Sequence, residues 1–297
     1  MIGRLLALAL LPLWVWVVLT VTSGLFFIVV LIVLVAGGAT SAIASDLHYQ
    51  CDSAVGPDPS VTVTPSRASA AVRPTTRSAA GAGATTAPTT NPYADLTIAP
   101  DDTGASAWQR ACAAVLKDAP YQDPPLLTGS SGIGAACARE LALARLASSA
   151  TGTPNGGDGR GGAADFSRSV IYLASAAQSA GRCELVAGQA GQPSPQVAAG
   201  GSLPRVCGNI NGSGTTVVVL PDTIAAQAPC GQRVDPSAVS PGDLVFWNYR
   251  DNVPTRVGIA VSATELVTAD PATGGLAKSV VPDTSDVRVK RVLGGGM

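Results

Sequence analysis

At 297 residues, with 33 Gly, 22 Pro and a formal charge of -1, the chain has room for one ordinary domain plus extensions. No stretch is both basic and aromatic, which argues against nucleic acid as a partner. Charged residues make up only 13%, and much of the hydrophobic 46% sits at the N-terminus.

Leu5 to Ala44 follows Arg4 and contains no charged residue. A spanning helix needs about 20 apolar residues, so residues 5–44 predict contact with a membrane. Three readings compete for residues 1–44. A helical hairpin would turn at Thr20-Val-Thr-Ser-Gly24, but its first half, Leu5 to Leu19, is short and holds Pro12. A cleaved signal segment is supported by Ala42-Ile-Ala44 before Ser45, a small-x-small pattern. Its apolar region would be far longer than the usual stretch of about 7–15 residues. A retained anchor is preferred, with Arg4 inside and Asp46 onward outside. The expectation is a single-pass protein of the cytoplasmic membrane with an extracytoplasmic domain, or a secreted one if cleaved near Ala44.

Cys51, Cys112, Cys137, Cys183, Cys207 and Cys230 all follow the apolar segment. An even number of cysteines on that side predicts disulfides in an oxidising compartment. No CxxC pair occurs and the single histidine, His48, stands apart, so neither a metal nor a cofactor is expected. Neighbours in sequence give the simplest pairing, Cys112 with Cys137 and Cys207 with Cys230. The connectivity stays open, and buried free thiols are the alternative.

Residues 45–95 read as an extracytoplasmic linker rich in Pro, Thr and Ala, most clearly from Asp52 to Pro92, with Arg67, Arg73 and Arg77 in it. In polyproline geometry it could span roughly 120 Å. Residues 96–160 form a helical segment. Ala105 to Asp118 carries Trp108, Cys112, Val115 and Leu116 at helical spacing and ends at Ala119-Pro120. Ile133 to Ser149 carries Ile133, Cys137, Leu141 and Ala144 on one face. A third helix starts with Asp165 as N-cap, shows a stripe of Phe166, Val170, Leu173 and Ala177, and stops at Gly181. Short β-rich runs follow at 215–220, 243–247, 256–262, 265–268, 279–281 and 287–292. Helices first and strands afterwards predict an α+β fold with an antiparallel sheet.

Four phrases stand out: Gly161-Gly-Ala-Ala-Asp165-Phe166-Ser167-Arg168-Ser169-Val170, Gly201-Ser-Leu-Pro-Arg205, Ser240-Pro-Gly-Asp-Leu-Val-Phe-Trp247 and Thr255-Arg-Val-Gly-Ile-Ala-Val-Ser262. Together they resemble the NlpC/P60 cysteine peptidases, which cut peptidoglycan stem peptides. The resemblance covers about Gly161 to Val292. It implies a papain-like domain over residues 161–297, with N-terminal helices packed on a small antiparallel sheet. The family's nucleophile falls on Phe166, its histidine on Arg256, and its orienting polar residue on Thr268, within Leu266-Val-Thr-Ala269. A thiol at a helix N-terminus is activated by the dipole and a neighbouring base, whereas phenylalanine has nothing to ionise. The triad positions are therefore degenerate.

Replacements for the nucleophile lack support. Ser167 and Ser169 flank the position without a base in reach, and no spacing brings Lys117, Lys278 or Lys290 to them. Cys183 lies beyond the C-terminal end of the helix. Arg256, Trp247 and Tyr249 are the ligand-binding candidates, because a guanidinium in a groove built for muramyl peptides suits a carboxylate. Core and rim packing is the simpler reading of both aromatics, a surface arginine that of Arg256, and a turn residue that of Asp243. The function expected is that of a non-catalytic, membrane-anchored protein binding peptidoglycan stem peptides. One alternative is a protein-interaction part of an envelope-spanning conjugation or secretion apparatus, with an envelope protein as partner. A second is a hydrolase with a non-standard nucleophile.

Overall fold

A computed structural model describes residues 43–60, 91–150, 162–183, 205–207, 217–270 and 273–294. The chain divides into two units, Met1–Tyr49 and Gln50–Met297. In the first, residues 43–49 are helical. The apolar segment 5–44 lies almost wholly outside the described residues, and among those described no helix is long and apolar enough to cross a membrane.

The second unit opens with helical residues 50–55 (α1), followed by α2 (Ala107–Leu116), α3 (Ile133–Ala150) and α4 (Ala163–Ala180). Ser106 starts α2 through a capping box. Its hydroxyl accepts from the Gln109 N–H, and the Gln109 side chain returns to the Ser106 N–H. Two short strands, β1 (Arg205–Val206) and β2 (Val218–Val219), pair in parallel, and a one-turn α5 (Ile224–Gln227) follows. The main sheet holds β3 (Gln232–Val234), β4 (Leu244–Arg250), β5 (Val253–Ala260), β6 (Glu265–Ala269), β7 (Leu276–Val280) and β8 (Arg288–Arg291). Their order is β3-β8-β4-β5-β6-β7, and every pair is antiparallel. The fold is α+β, as the order of elements predicts.

Strand alternation divides the sheet into two faces. Leu244, Phe246, Val257, Ile259 and Val267 pack with Phe166, Val170, Ile171 and Ala174 of α4 and with Ala142 of α3. Val245, Ala260, Leu266 and Val289 point the other way and meet Val234, Ala238 and Val239. Gly258 makes room on that second face, since a Cβ there would stand 2.8 Å from the Leu266 Cδ1. Gly242 turns the chain into β4 with φ 86, a conformation costly to any residue with a side chain.

Several expectations need correction. Helix α4 begins earlier than Asp165: its N-cap is Gly162, because Ala163 and Ala164 are good helix formers and extend it by most of a turn. Asp165 instead lies in the first turn, where its carboxylate faces Arg168 at 3.4 Å. The expected stop at Gly181 holds, with φ 72. Strand β3 went unpredicted because three residues with Arg233 in the middle carry no periodic signal. Strands β4 and β5 run further than expected, joined by a two-residue turn in which Asp251 and Asn252 both have positive φ. That is the geometry that matches the twist of a hairpin.

The cysteine pairing is Cys51–Cys112, Cys137–Cys183 and Cys207–Cys230. The third is the expected bridge, whereas Cys112 does not pair with Cys137. Cys137 of α3 meets Cys183 just after α4 because the two helices lie side by side. Cys112 of α2 meets Cys51, inside the region read as linker. That region therefore narrows: residues 50–56 are mostly buried and part of the folded unit, as is Asn91. The low-complexity centre, 61–90, lies outside the described residues, and both of its ends return to the second unit. Cys51–Cys112 closes the chain across it, so the linker does not separate the domain from residue 51 by its extended length. Helix α3 shares a core with α4, so 96–160 and 161–297 form one unit.

Candidate functional site

Phe166 sits in the first turns of α4 at 5% exposure, inside the core shared with Val257 and Val267. Arg256 and Thr268 alternate with those two valines, so their side chains leave the opposite face of the sheet. The three positions that the resemblance assigns to a triad are thus not gathered on one face. Arg256 and Thr268 are diagonal neighbours there, because Thr268 stands directly across from Gly258. The Thr268 hydroxyl donates to the Val257 carbonyl at 2.6 Å and is buried, so its hydrogen bond is already used.

Trp247 is directly across from Arg256 on β4, and both are half-buried. Side chains paired this way approach to about 5 Å at Cβ. No acidic side chain among the described residues forms an ion pair with Arg256. Tyr249 does not join them. Its ring packs where a Cβ on Gly56 would have to be, and burial pushes its phenol well up. Of the three ligand candidates, the structure brings together Arg256 and Trp247.

The alternative nucleophiles are engaged elsewhere. Ser167 is fully buried, and its hydroxyl donates to Gln227 Oε1 at 2.6 Å. An amide oxygen accepts a hydrogen bond but is no base at neutral pH. Cys183 is oxidised in its bridge to Cys137. Lys278 pairs with Glu265 at 3.0 Å, Lys117 is exposed, and His48 is exposed in the first unit. Among the described residues, no cluster of His, Cys, Asp and Glu is arranged to hold a metal ion.

Asp243, read as a turn residue, does accept from the Ser240 N–H at 2.9 Å, but it also holds Arg291. Arg291 donates from Nε at 2.8 Å to one carboxylate oxygen and from Nη2 at 2.8 Å to the other. The Pro-Gly-Asp phrase is therefore the anchor of a buried ion pair at the entrance to β4.

A second polar cluster escaped the sequence altogether. Arg233, Arg288 and Lys290 share one face of the β3–β8–β4 part of the sheet, the face of Leu244 and Phe246. Asp52 of α1 pairs with both Arg233 and Arg288. Burial opposes ionisation of Asp52, but the two guanidinia outweigh it and hold the carboxyl below its usual range. Lys290 is completely buried and donates to Gln122 Oε1 at 3.0 Å. Burial first, then Arg233, pushes its amine well below the ordinary lysine value. No spacing in the sequence links residue 52 to residues 233 and 288.

Lys290 gives a pH signature. Above about pH 10.4 the amine is neutral in both folded and unfolded chains and contributes nothing. As pH falls, the unfolded chain takes up a proton before the folded one does, so stability declines. Lys290→Met binds no proton, and Gln122 Oε1 keeps the Arg233 N–H at 2.9 Å. The variant should therefore be more stable than the parent at pH 7, by about 1–3 kcal/mol, with a smaller gain at pH 10. Urea midpoints at both values check this, and an equal gap at the two would contradict it.

No protein-family model matches the chain, and no curated protein matches it in sequence.

Proposed function

We propose that the chain is a non-catalytic NlpC/P60-like protein of the bacterial cell envelope, anchored through residues 5–44, whose domain binds peptidoglycan stem peptides. The three disulfides fit an oxidising, extracytoplasmic or secreted setting. The observation that carries the binding role is Arg256. It is half-buried, stands across from Trp247 and lacks an acidic partner among the described residues, whereas Arg233, Arg288 and Arg291 each have one. A stem-peptide carboxylate would supply the missing partner in bidentate form, with the indole as an apolar wall. The lack of catalysis is supported by Phe166 in the core, by the Ser167 hydroxyl on Gln227, and by Cys183 in a disulfide.

The test is sedimentation of the protein with purified peptidoglycan. Arg256→Ala should weaken binding by about 1.5–3 kcal/mol, the worth of a charged hydrogen bond. That is tenfold or more in affinity. Binding by the parent protein should also fall as salt rises. Equal binding by the variant would remove Arg256 from the contact.

Two observations favour the assembly reading instead. Phe166, where the resemblance places the nucleophile, is packed into the core, and β7, at the edge of the sheet, leaves Val280 70% exposed. A protein that fails to sediment with the wall and crosslinks to an envelope protein through β7 would favour that second reading.

A further inference from the structure

The two edges of the main sheet differ. Outside β3, the backbone of Leu126 closes the sheet. Its N–H donates to the Arg233 carbonyl at 3.0 Å, and its carbonyl accepts from the Asp235 N–H at 2.9 Å. Outside β7, the last strand in the order, no described residue does the same. The register shows which backbone groups this leaves open. Val281 donates to the Thr264 carbonyl and Asp270 to the Gly275 carbonyl. Counting by twos from these bonds, Ala277 and Ser279 turn their backbone groups to β6, whereas Leu276, Lys278 and Val280 turn theirs outward. The Leu276 N–H reaches Ser149 Oγ at a long 3.4 Å. Those of Lys278 and Val280 have no partner among the described residues.

Proteins commonly blunt such an edge with proline, a bulge or an uncompensated charge. Leu276–Val280 contains no proline and pairs with β6 without a bulge. Its one charge, Lys278, is answered by Glu265 at 3.0 Å. Val280 adds an apolar side chain that is 70% exposed. The strand is suited to receive another, and its charges fit a copy of itself. About a two-fold axis at Ser279, β7 meets a second β7 antiparallel, and Lys278 of each copy exchanges backbone bonds with Val280 of the other. Each Lys278 stem then covers the other copy's Val280. Beyond that valine, directly across from it on β6, stands Glu265. Two strand spacings of about 4.8 Å separate this lysine from that glutamate, a gap that two long side chains can span. An axis at Lys278 would instead set the two ammonium groups against one another.

We propose that β7 is the seam of a homodimer, in which two copies pair edge to edge about Ser279 and continue one antiparallel sheet into the other. So short a seam buries less than the roughly 1,200 Å² of a standard interface, so association is weak and depends on protein concentration. Arg256 lies two strands inward on β5, so the dimer and the wall-binding reading stand or fall separately.

The experiment uses the full-length chain in detergent with its native disulfides intact. Ser279→Cys puts two thiols on a non-hydrogen-bonded pair with Cα atoms about 4.5 Å apart, within the range of a disulfide. Mild oxidation of concentrated protein should link this variant into a dimer and leave the parent unlinked. Adding Val280→Pro removes an outward N–H from each copy and no bond to β6, so linking should fall about tenfold or more. Equal linking by the double variant overturns β7 as the seam. The unmodified protein gives a second reading through residue-resolved hydrogen–deuterium exchange. The amides of Lys278 and Val280 should slow as the protein is concentrated, while those of Ala277 and Ser279 stay protected throughout. Fast exchange at 278 and 280 at every concentration, with monomeric sedimentation, overturns the dimer. Slowing there only on addition of peptidoglycan, or crosslinks from β7 to an envelope protein other than a second copy, gives the edge another occupant and overturns it equally.

Discussion

Asp243→Ala should destabilise the folded unit by about 3–5 kcal/mol, the cost of leaving a buried charge without its partner. Asp243 is 1% exposed and the Arg291 side chain 6%. Burial pushes the carboxyl up, and Arg291 and Ser240 work against that by favouring the charged form. Arg291 also reaches the Thr128 carbonyl at 2.8 Å and the Ala238 carbonyl at 3.2 Å, so the pair ties β8 to the turn before β4 and to the segment before α3. With alanine at 243, the guanidinium keeps those carbonyls but loses its counter-charge. Arg291→Leu in the same chain should restore part of the loss, because an apolar pair in that space leaves nothing unpaired. The exposed pair of Lys278 and Glu265 sets the comparison, at about 0–1 kcal/mol. Urea midpoints decide the matter. A loss at Asp243 no larger than at Glu265 would show that the burial of the pair carries no weight.

The sequence made this fold legible wherever the signal was local. The bounds of helix α3 were readable to within a residue, and the Gly181 stop from its place after an alanine-rich run, but the buried face of α3 was not: Ile133 is 42% exposed and Ala144 is exposed, while Ala135, Ala138 and Ala142 are buried beside Cys137. The central strands were readable from alternation in 243–247 and 256–262. The turn at Asp251-Asn252 was also there to be read, since those residue types tolerate positive φ and so favour a tight hairpin. Taking the stretch as a loop shortened both strands. What stayed hidden depends on distance in the chain. Asp52 meets Arg233 and Arg288 across the whole domain, and its proline- and alanine-rich surroundings suggested only a linker. The candidate site was half legible. Arg256 and Trp247 are across from one another because their two strands form one hairpin, whereas Tyr249 went to a different partner, Gly56, from the misread region. Phe166 shows the same limit, because a motif fixes a position in sequence and not the face from which its side chain leaves.

Removing one disulfide should separate the small lobe of α1 and α2, joined by Cys51–Cys112, from the sheet energetically. Cys51→Ser with Cys112→Ser opens a loop whose ends are 61 residues apart in sequence, against 23 for Cys207 and Cys230. In the chain-entropy description the first bridge contributes about 4 kcal/mol and the second about 3, because the dependence on loop length is only logarithmic. The more telling difference is where the loss appears. Cys207–Cys230 touches the main core, so its removal should lower the stability of the whole unit. Cys51–Cys112 joins α1 to α2, whose buried apolar side chains are outside both sheet cores, so its removal should let residues 50–56 and α2 exchange fast while β4 and β5 remain protected. Two measurements check this, amide exchange by region and thiol titration of the denatured, unreduced parent protein. The titration should find no free thiols, and six of them would overturn the oxidising compartment as well as the lobe. If exchange instead rises uniformly across lobe and sheet, the two share one cooperative unit. The charges of Asp52, Arg233 and Arg288 would then be a fixed part of the core, with no separable lobe for them to hold.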